Sequence, residues 1–333
     1  MQAVLVSAAV ILSAPYTAVV RAWLRETFPG NFVTIVGGIV GMLVVSVLGL
    51  ALTQIRNRRA FRYALLASGV ILGIGYANYA AINQPEVDVV ERFHFVEYGL
   101  IALMFYRACR QAGDSSVIVI PLLCGLTVGA VEEWFQWFIP NRVGELHDVA
   151  IDLVAAGCGL LVALGANPPA SFRWQLNPGS LRRMAIALIC SAGAVAFFVQ
   201  QVHLGHELTE RGLTFRSHWT ASELHDLARD RAERWKTRPP LTFARLSRED
   251  QYMDEALWHI RARNLAWPSD PHGAWCENQI LEEFYAPVLD APSYVSATGH
   301  RWPESLKVEA EEKAAGDRAP YVSHAEQYPI LVW

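Results

Sequence analysis

The chain has 333 residues, of which 53% are hydrophobic and 18% charged, and its mean hydropathy is +0.20. This composition excludes a disordered chain, a collagen-like chain and a disulfide scaffold, and it is too apolar for an ordinary soluble protein. Residues 1–203 contain 13 basic and 11 acidic residues, whereas residues 204–333 contain 15 basic and 21 acidic residues. The sequence therefore predicts a membrane domain over 1–203 and an acidic soluble domain over 204–333. The lack of a basic patch argues against a nucleic-acid partner.

Seven stretches of the first domain are long and apolar enough to cross a bilayer, whose hydrocarbon core of roughly 30 Å needs about 20 helical residues. These stretches are 2–20, 32–54, 62–81, 93–109, 116–138, 146–166 and 183–203. The first lacks the basic region of a signal peptide, so it is predicted to be a retained span. The predicted fold is all-α, a polytopic transmembrane helical bundle of about seven spans with a C-terminal extramembrane helical domain.

The arginines of the short loops predict the orientation of the bundle. The alternate loops 55–62, 107–115 and 167–183 contain nine arginines, whereas the other three loops contain four. Loops rich in positive charge stay on the cytoplasmic side of the membrane. We therefore expect a multi-pass protein with a cytoplasmic N-terminus and an extracytoplasmic C-terminal domain, and membrane lipids are its first expected partners.

The C-terminal domain is predicted to be helical, because its apolar residues recur at helical spacing and no strand alternation is visible. The predicted helices cover 220–235, 248–266, 273–285 and 303–315. Thr220 and Glu223 have the spacing of a capping box at the start of the first of them. Glu255 and His259 stand four residues apart on the second and are predicted to form a surface pair.

A weak metal-binding pattern occurs where the last span ends. His203 and His206 would share one helical face, and Glu207 follows them. Structural metal sites need four ligands, and only two or three are visible here, so interfacial polar anchoring is the competing interpretation. No motif of the chain identifies a cofactor or names a reaction.

Placing polar and ionisable residues inside a membrane costs free energy, so such residues within predicted spans are functional candidates. Here they occur at matching ends of spans four, five and six. On span four, Glu91, His94 and Tyr98 share one helical face and Glu97 lies on its flank. The two following spans and the loop between them supply Glu132, Glu133, Gln136, Arg142, Asp148 and Asp152. Three separate segments therefore place carboxylates, an imidazole, an amide and a guanidinium at one predicted membrane depth.

The order and spacing of these residues resemble the VanZ-like family of membrane proteins over about residues 85–166. That family's pattern has an acidic residue and His-Phe-x-x-Tyr opening one span, an acidic residue followed by Glu-x-x-Gln ending the next, a Pro-x-Arg loop, and Asp-x-x-x-Asn opening the third. The matching residues here are Glu91, His94, Phe95, Tyr98, Glu132, Glu133, Gln136, Pro140, Arg142 and Asp148. Two departures occur, because Asp152 stands where the family usually has Asn and Glu132 stands where Asp is common.

The resemblance implies a protein of the bacterial inner membrane with a role in the cell envelope. The family is named for a member linked to low-level resistance to the glycopeptide teicoplanin, so an effect on glycopeptide susceptibility is expected. The resemblance implies no particular reaction.

Several interpretations of the polar residues remain open. One is an enzyme acting on a lipid-linked envelope precursor, with His94 as acid or base and Glu133 as its partner. A second is cation binding by His94, Glu133, Asp148 and Asp152. A third is a structural network that fixes the packing of spans four to six. For the protein as a whole, a non-catalytic membrane anchor or scaffold whose domain 204–333 binds a protein partner is a further alternative.

Overall fold

The computed structural model describes residues 1–81, 83–139, 144–237, 248–292, 296–317 and 319–325. Most of these residues are helical, as the sequence predicts. The chain divides into two compact units. The first comprises Met1–Gln136 and Gly144–Phe198, and the second comprises the described residues from Val199 to 325 together with a short segment that begins at Trp137.

The first unit contains seven long helices within its described residues, and each overlaps a predicted span. They are α1 (Gln2–Thr27), α2 (Phe32–Thr53), α3 (Arg59–Tyr79), α4 (Pro85–Cys109), α5 (Ser116–Gln136), α6 (Leu146–Ala166) and α7 (Pro178–Phe198). Five are long and apolar enough to cross a membrane by themselves, namely α2, α3, α5, α6 and α7 with its extension to Leu204. Helix α1 adds a sixth only if its two halves, bent by 45°, count as one span.

Helix α4 is the predicted span that apolarity alone does not support. It carries Glu91, Arg92, Glu97 and Arg107 among its 25 residues. It packs against α1, α2, α5 and α6, and Tyr98 on its inner face is fully buried. The inner face of α4 is therefore packed against its neighbours, whereas Arg92 and Arg107 are exposed.

The closest helix contact in this unit joins α4 to α6. A Cβ atom added to Gly159 would overlap the Cα of Gly99 and would lie 2.5 Å from the Gly99 carbonyl oxygen. Two facing glycines thus let the backbones of α4 and α6 touch, as small residues do between membrane helices. This contact sets the distance between the helices that supply the polar side chains described below.

A buried arginine fixes the C-terminal end of α6. The guanidinium of Arg62 donates hydrogen bonds to the carbonyl oxygens of Gly165 (2.7 Å), Ala166 and Gln54 (3.3 Å). The last carbonyl groups of a helix have no partner within the helix, and a cation there also matches the helix dipole. Arg62 therefore ties the start of α3 to the end of α6.

Within its described residues, the second unit combines five α-helices and the helical turn Val199–Leu204 with a small sheet. The strands are β1 (His206–Glu210), β2 (Leu213–Ser217) and β3 (Tyr321–Val322), with β1 antiparallel and β3 parallel to β2. The helices are α8 (Ala221–Arg234), α9 (Arg248–Ala266), α10 (Pro271–Phe284), α11 (Ala286–Asp290) and α12 (Glu304–Ala314). Helices α8, α9, α10 and α12 overlap the four helices that the sequence predicts here, but the expectation of a helical region without strands is wrong.

The start of α8 confirms the predicted capping box. The backbone N–H of Thr220 donates to Glu223 Oε2 at 2.9 Å, and the Thr220 hydroxyl accepts from the Glu223 backbone N–H at 3.4 Å. Behind this helix, the core of the unit packs around Trp219, Tyr252 and Phe284. Thr220, which caps α8, therefore directly follows Trp219, which belongs to the core of the unit.

Glu255 and His259 are completely buried, so the predicted surface pair is wrong. Glu255 accepts hydrogen bonds from the Ser217 hydroxyl (2.8 Å), the backbone N–H of His218 (2.9 Å), the His218 ring (Nδ1, 2.6 Å) and the Tyr285 hydroxyl (2.6 Å). The two residues point to different partners, although they stand one turn apart. Glu255 therefore holds the sheet against helix α9.

His259 pairs with a second buried carboxylate, that of Glu277 on α10. Its Nδ1 lies 2.6 Å from Glu277 Oε2, while Glu277 Oε1 accepts from the hydroxyls of Tyr321 (2.8 Å) and Ser323 (2.5 Å). Burial alone would raise the pKa of Glu277, but the hydrogen bonds from His259, Ser323 and Tyr321 outweigh it and hold the pKa below its usual value. This carboxylate therefore links α9, α10 and the strand β3.

The lowered pKa of Glu277 predicts an acid-sensitive second unit. A carboxyl group whose pKa is lower in the folded state contributes stability above its unfolded pKa of about 4.3, and this contribution disappears as pH falls through the folded pKa. We expect the unfolding temperature of the wild-type protein to fall more steeply below about pH 4.3 than that of Glu277→Gln. Tryptophan fluorescence melts across this pH range measure both slopes, and equal slopes would contradict the assignment.

Candidate functional site

The predicted polar residues of the first unit meet at one end of three packed helices. Helices α4 and α6 begin at this end and α5 finishes there, so residues in the N-terminal halves of two helices face the last turns of the third. Pro85 at the first turn of α4 suits a helix start, because its missing N–H would have had no helical partner. Helix α6 begins ten residues after the end of α5, so the two helix ends are close in the sequence.

His94 on α4 and Asp152 on α6 form a hydrogen-bonded dyad. His94 Nδ1 lies 2.7 Å from Asp152 Oδ1, the Asp152 side chain is fully buried and that of His94 is 13% exposed. The partner of His94 is thus Asp152 and not Glu133, the partner that the sequence predicts. A carboxylate at Nδ1 assigns the proton to that nitrogen, which leaves Nε2 of a neutral imidazole with a free lone pair.

Gly129 on α5 provides the space for Asp152. A Cβ atom at Gly129 would lie 2.7 Å from Asp152 Oδ2, closer than real side chains approach. Asp152 Oδ2 is buried and has no hydrogen-bond partner among the described residues. The carboxylate of the dyad is therefore pressed against the backbone of α5, and only one of its oxygens is used by His94.

A second set of hydrogen bonds joins the two glutamates of α5. The Tyr98 hydroxyl donates to Glu132 Oε2 at 2.6 Å, and the Gln136 amide donates to Glu132 Oε1 at 3.2 Å and to Glu133 Oε1 at 2.8 Å. The backbone N–H of Glu145 donates to Glu133 Oε2 at 3.1 Å. Glu133 thus belongs to a network that fixes α5 against α4 and against the residue preceding α6.

The charge of this cluster is unbalanced within the described part of the chain. Glu132, Glu133 and Asp152 are buried, and none of them pairs there with a lysine or an arginine. Asp148, half-buried in the first turn of α6, interacts electrostatically with both His94 and Glu133. Several carboxylates in a water-poor place are stable together only if they hold protons or a cation. The cluster is therefore suited to proton exchange or cation binding.

The remaining predicted residues have different placements. Glu91 and Glu97 are half-buried on α4, each in contact with neighbouring groups. Arg142 lies outside the described residues. His203 belongs to the helical turn Val199–Leu204, whereas His206 and Glu207 belong to β1, so the shared helical face that made them metal candidates does not form.

No protein-family model, curated protein or solved structure gives a significant match to this chain. The geometry of the cluster and its sequence pattern are therefore the basis for assigning a function.

Proposed function

We propose that this protein is a VanZ-like integral membrane protein of the bacterial cell envelope, and that His94 and Asp152 are the acid–base centre of a site for a lipid-linked envelope precursor. The observation that carries the proposal is the dyad itself. Its carboxylate is buried, its imidazole is partly exposed, and His94 Nε2 makes no hydrogen bond to a described residue.

The family assignment is supported by the way the motif residues converge. In the VanZ-like pattern, the residues at the start of one span, the end of the next and the start of the third are far apart in sequence. In this chain His94, Tyr98, Glu132, Gln136 and Asp152 come from these three segments and form two adjoining hydrogen-bonded groups. A shared task at one site accounts for that convergence.

The chemistry that the dyad supports is proton transfer at His94 Nε2. Asp152 would orient the ring and stabilise the imidazolium that forms when Nε2 accepts a proton from a hydroxyl or phosphate group of the substrate. A carboxylate in this role does not itself take up the proton. An amphiphilic substrate fits because its apolar chains can stay in the lipid while its polar group reaches His94.

The sidedness of the site is part of the proposal. The distribution of loop arginines favours a cytoplasmic N-terminus, which places the start of α4, the end of α5 and the start of α6 at the outer face. A substrate would then enter from the outer leaflet, and the second unit would lie outside the cytoplasm.

For Glu133, the contacts favour a positioning role over catalysis. Both of its oxygens are engaged, one by Gln136 and one by the Glu145 backbone, and the side chain is fully buried. The same reasoning supports a packing network as the second candidate role for Glu132 and Gln136. Loss of such a network would lower the amount of folded protein in the membrane.

The proposal predicts that His94→Gln abolishes the effect of the protein on glycopeptide susceptibility while its membrane abundance stays near normal. Asp152→Asn should reduce the effect, because the amide still accepts from Nδ1 but no longer stabilises the imidazolium. Susceptibility and immunoblots of membranes from expressing cells measure both properties. His324→Gln, at an exposed residue of the second unit, is the matched control. If His94→Gln lowers abundance as much as Glu133→Gln does, the dyad is a packing element instead.

A further inference from the structure

Three ligand-type side chains that belong to none of the candidate sites described above converge in the second unit. Glu210 ends β1, His225 lies on α8 and Glu283 lies on α10. One ligand atom from each lies within 4.8 Å of the other two, and no other three His, Cys, Asp or Glu residues in the described part of the chain are arranged in this way. We propose that Glu210, His225 and Glu283 bind a divalent transition-metal ion.

The carboxylates of Glu210 and Glu283 are only weakly neutralised by the described residues around them. Glu210 Oε2 is shielded from solvent and has no hydrogen-bond partner among the described residues. Glu283 forms an ion pair with Arg211 at 3.0 Å, but the Arg211 side chain is 74% exposed. An exposed arginine compensates a neighbouring carboxylate only weakly, because water screens it. A metal ion would neutralise both carboxylates and would bind Glu210 Oε2, the oxygen without a hydrogen-bond partner among the described residues.

The donor set identifies the class of ion. One imidazole nitrogen and two carboxylate oxygens suit Zn²⁺, which binds such groups at about 2.0–2.2 Å. The ligands of a tetrahedral zinc ion lie about 3.4 Å apart, and the three ligand atoms here are all within 4.8 Å of one another. Three protein ligands leave the fourth position for water.

The surrounding structure holds two of the ligands in place. The ring of His225 packs against that of the buried Phe284, with centroids 5.0 Å apart. Glu210 directly precedes the turn Arg211–Gly212, where both residues have positive φ angles of 52° and 84°. Such a tight hairpin turn fixes the end of β1. The ion would therefore tie the tip of the hairpin to two helices.

The proposal is tested with the full-length protein in detergent, stripped with a chelator and titrated with Zn²⁺ alone. We expect one tightly bound zinc per chain by elemental analysis and a rise in unfolding temperature on zinc addition. His225→Ala and Glu210→Gln should each weaken binding by more than about tenfold, because each removes a ligand. His206→Ala, on the same strand as Glu210, should bind zinc as the wild type does.

Arg211→Asn gives an independent readout in the opposite direction. It removes the cation that competes for Glu283, and Asn tolerates the positive φ of this position, so zinc affinity should increase. This variant keeps the proposal testable if a ligand variant fails to fold. The proposal is overturned if the wild type retains no zinc, or if folded His225→Ala binds zinc with unchanged stoichiometry and affinity.

Discussion

Gly159→Val is expected to force α4 and α6 apart and to destabilise the whole first unit. Any Cβ at this position overlaps the backbone of Gly99, and backbone atoms cannot rotate out of the way as a side chain can. Overpacking of a core typically costs about 1–3 kcal/mol, and a clash between two helix backbones belongs at or above the upper end of that range. Because α4 and α6 supply His94 and Asp152, the same substitution should also separate the dyad.

The measurement is the unfolding temperature of the detergent-extracted protein, followed by loss of the monodisperse peak on size exclusion. A cost of about 3 kcal/mol corresponds to a drop of roughly 6–12 °C for a unit of this size. Gly157→Val is the matched control, because it lies on the same helix with no atom within 4 Å of its added Cβ. If the two variants melt alike, the close contact of α4 with α6 is wrong.

Glu255→Ala is expected to be the most destabilising substitution in the second unit. Four donors converge on this carboxylate, from Ser217, His218 and Tyr285, and the site is closed to water. Removing one partner of a buried ionic or hydrogen-bonded pair costs about 3–5 kcal/mol, because the others remain buried without it. Glu255→Gln should cost less, because the amide oxygen still accepts some of these bonds.

Melting of the full-length protein, followed by tryptophan fluorescence, measures the effect. Glu233→Ala provides the control, since it removes an ion pair with Lys236 of similar length (2.7 Å) that is exposed to solvent. Exposed pairs contribute little, so this variant should melt like the wild type. A Glu255→Ala protein that also melts like the wild type would show that the buried carboxylate is not a structural centre.

The positions of the helices could be predicted because helix formation depends mainly on residues that are close together in the sequence. The apolar length of the seven stretches and the 3.6-residue period of the second unit are local properties, and so is the capping box at Thr220. The strands were not predictable in this way. β1 places only Leu208 against the core, and β3 is two residues long and pairs with residues more than 100 positions earlier. Such short strands leave no alternation to detect.

The candidate site also depends in part on contacts between residues that are far apart in the sequence, and these could not be predicted. In the structure, His94 and Tyr98 stand four residues apart on α4, and α4, α5 and α6 bring His94, Tyr98, Glu132 and Asp152 together. The choice of Asp152 over Glu133 as the partner of His94 depends on the rotation of α5 and α6 about their axes, which Gly129 and the glycine contact of α4 with α6 determine. The spacing of Glu255 and His259 predicts an exposed pair because charged pairs on helices are usually exposed, whereas α9 is buried on most sides.

The most direct test of the account is lipid and metal analysis of the protein purified in native-lipid particles, beside a His94→Gln/Asp152→Asn double variant. The account predicts that a polyisoprenoid-linked or similar amphiphile accompanies the wild type and is lost from the double variant, while the zinc of Glu210, His225 and Glu283 stays in both. Identical lipids in the two preparations would contradict the proposal that the His94–Asp152 dyad serves a substrate, and would assign the cluster to helix packing.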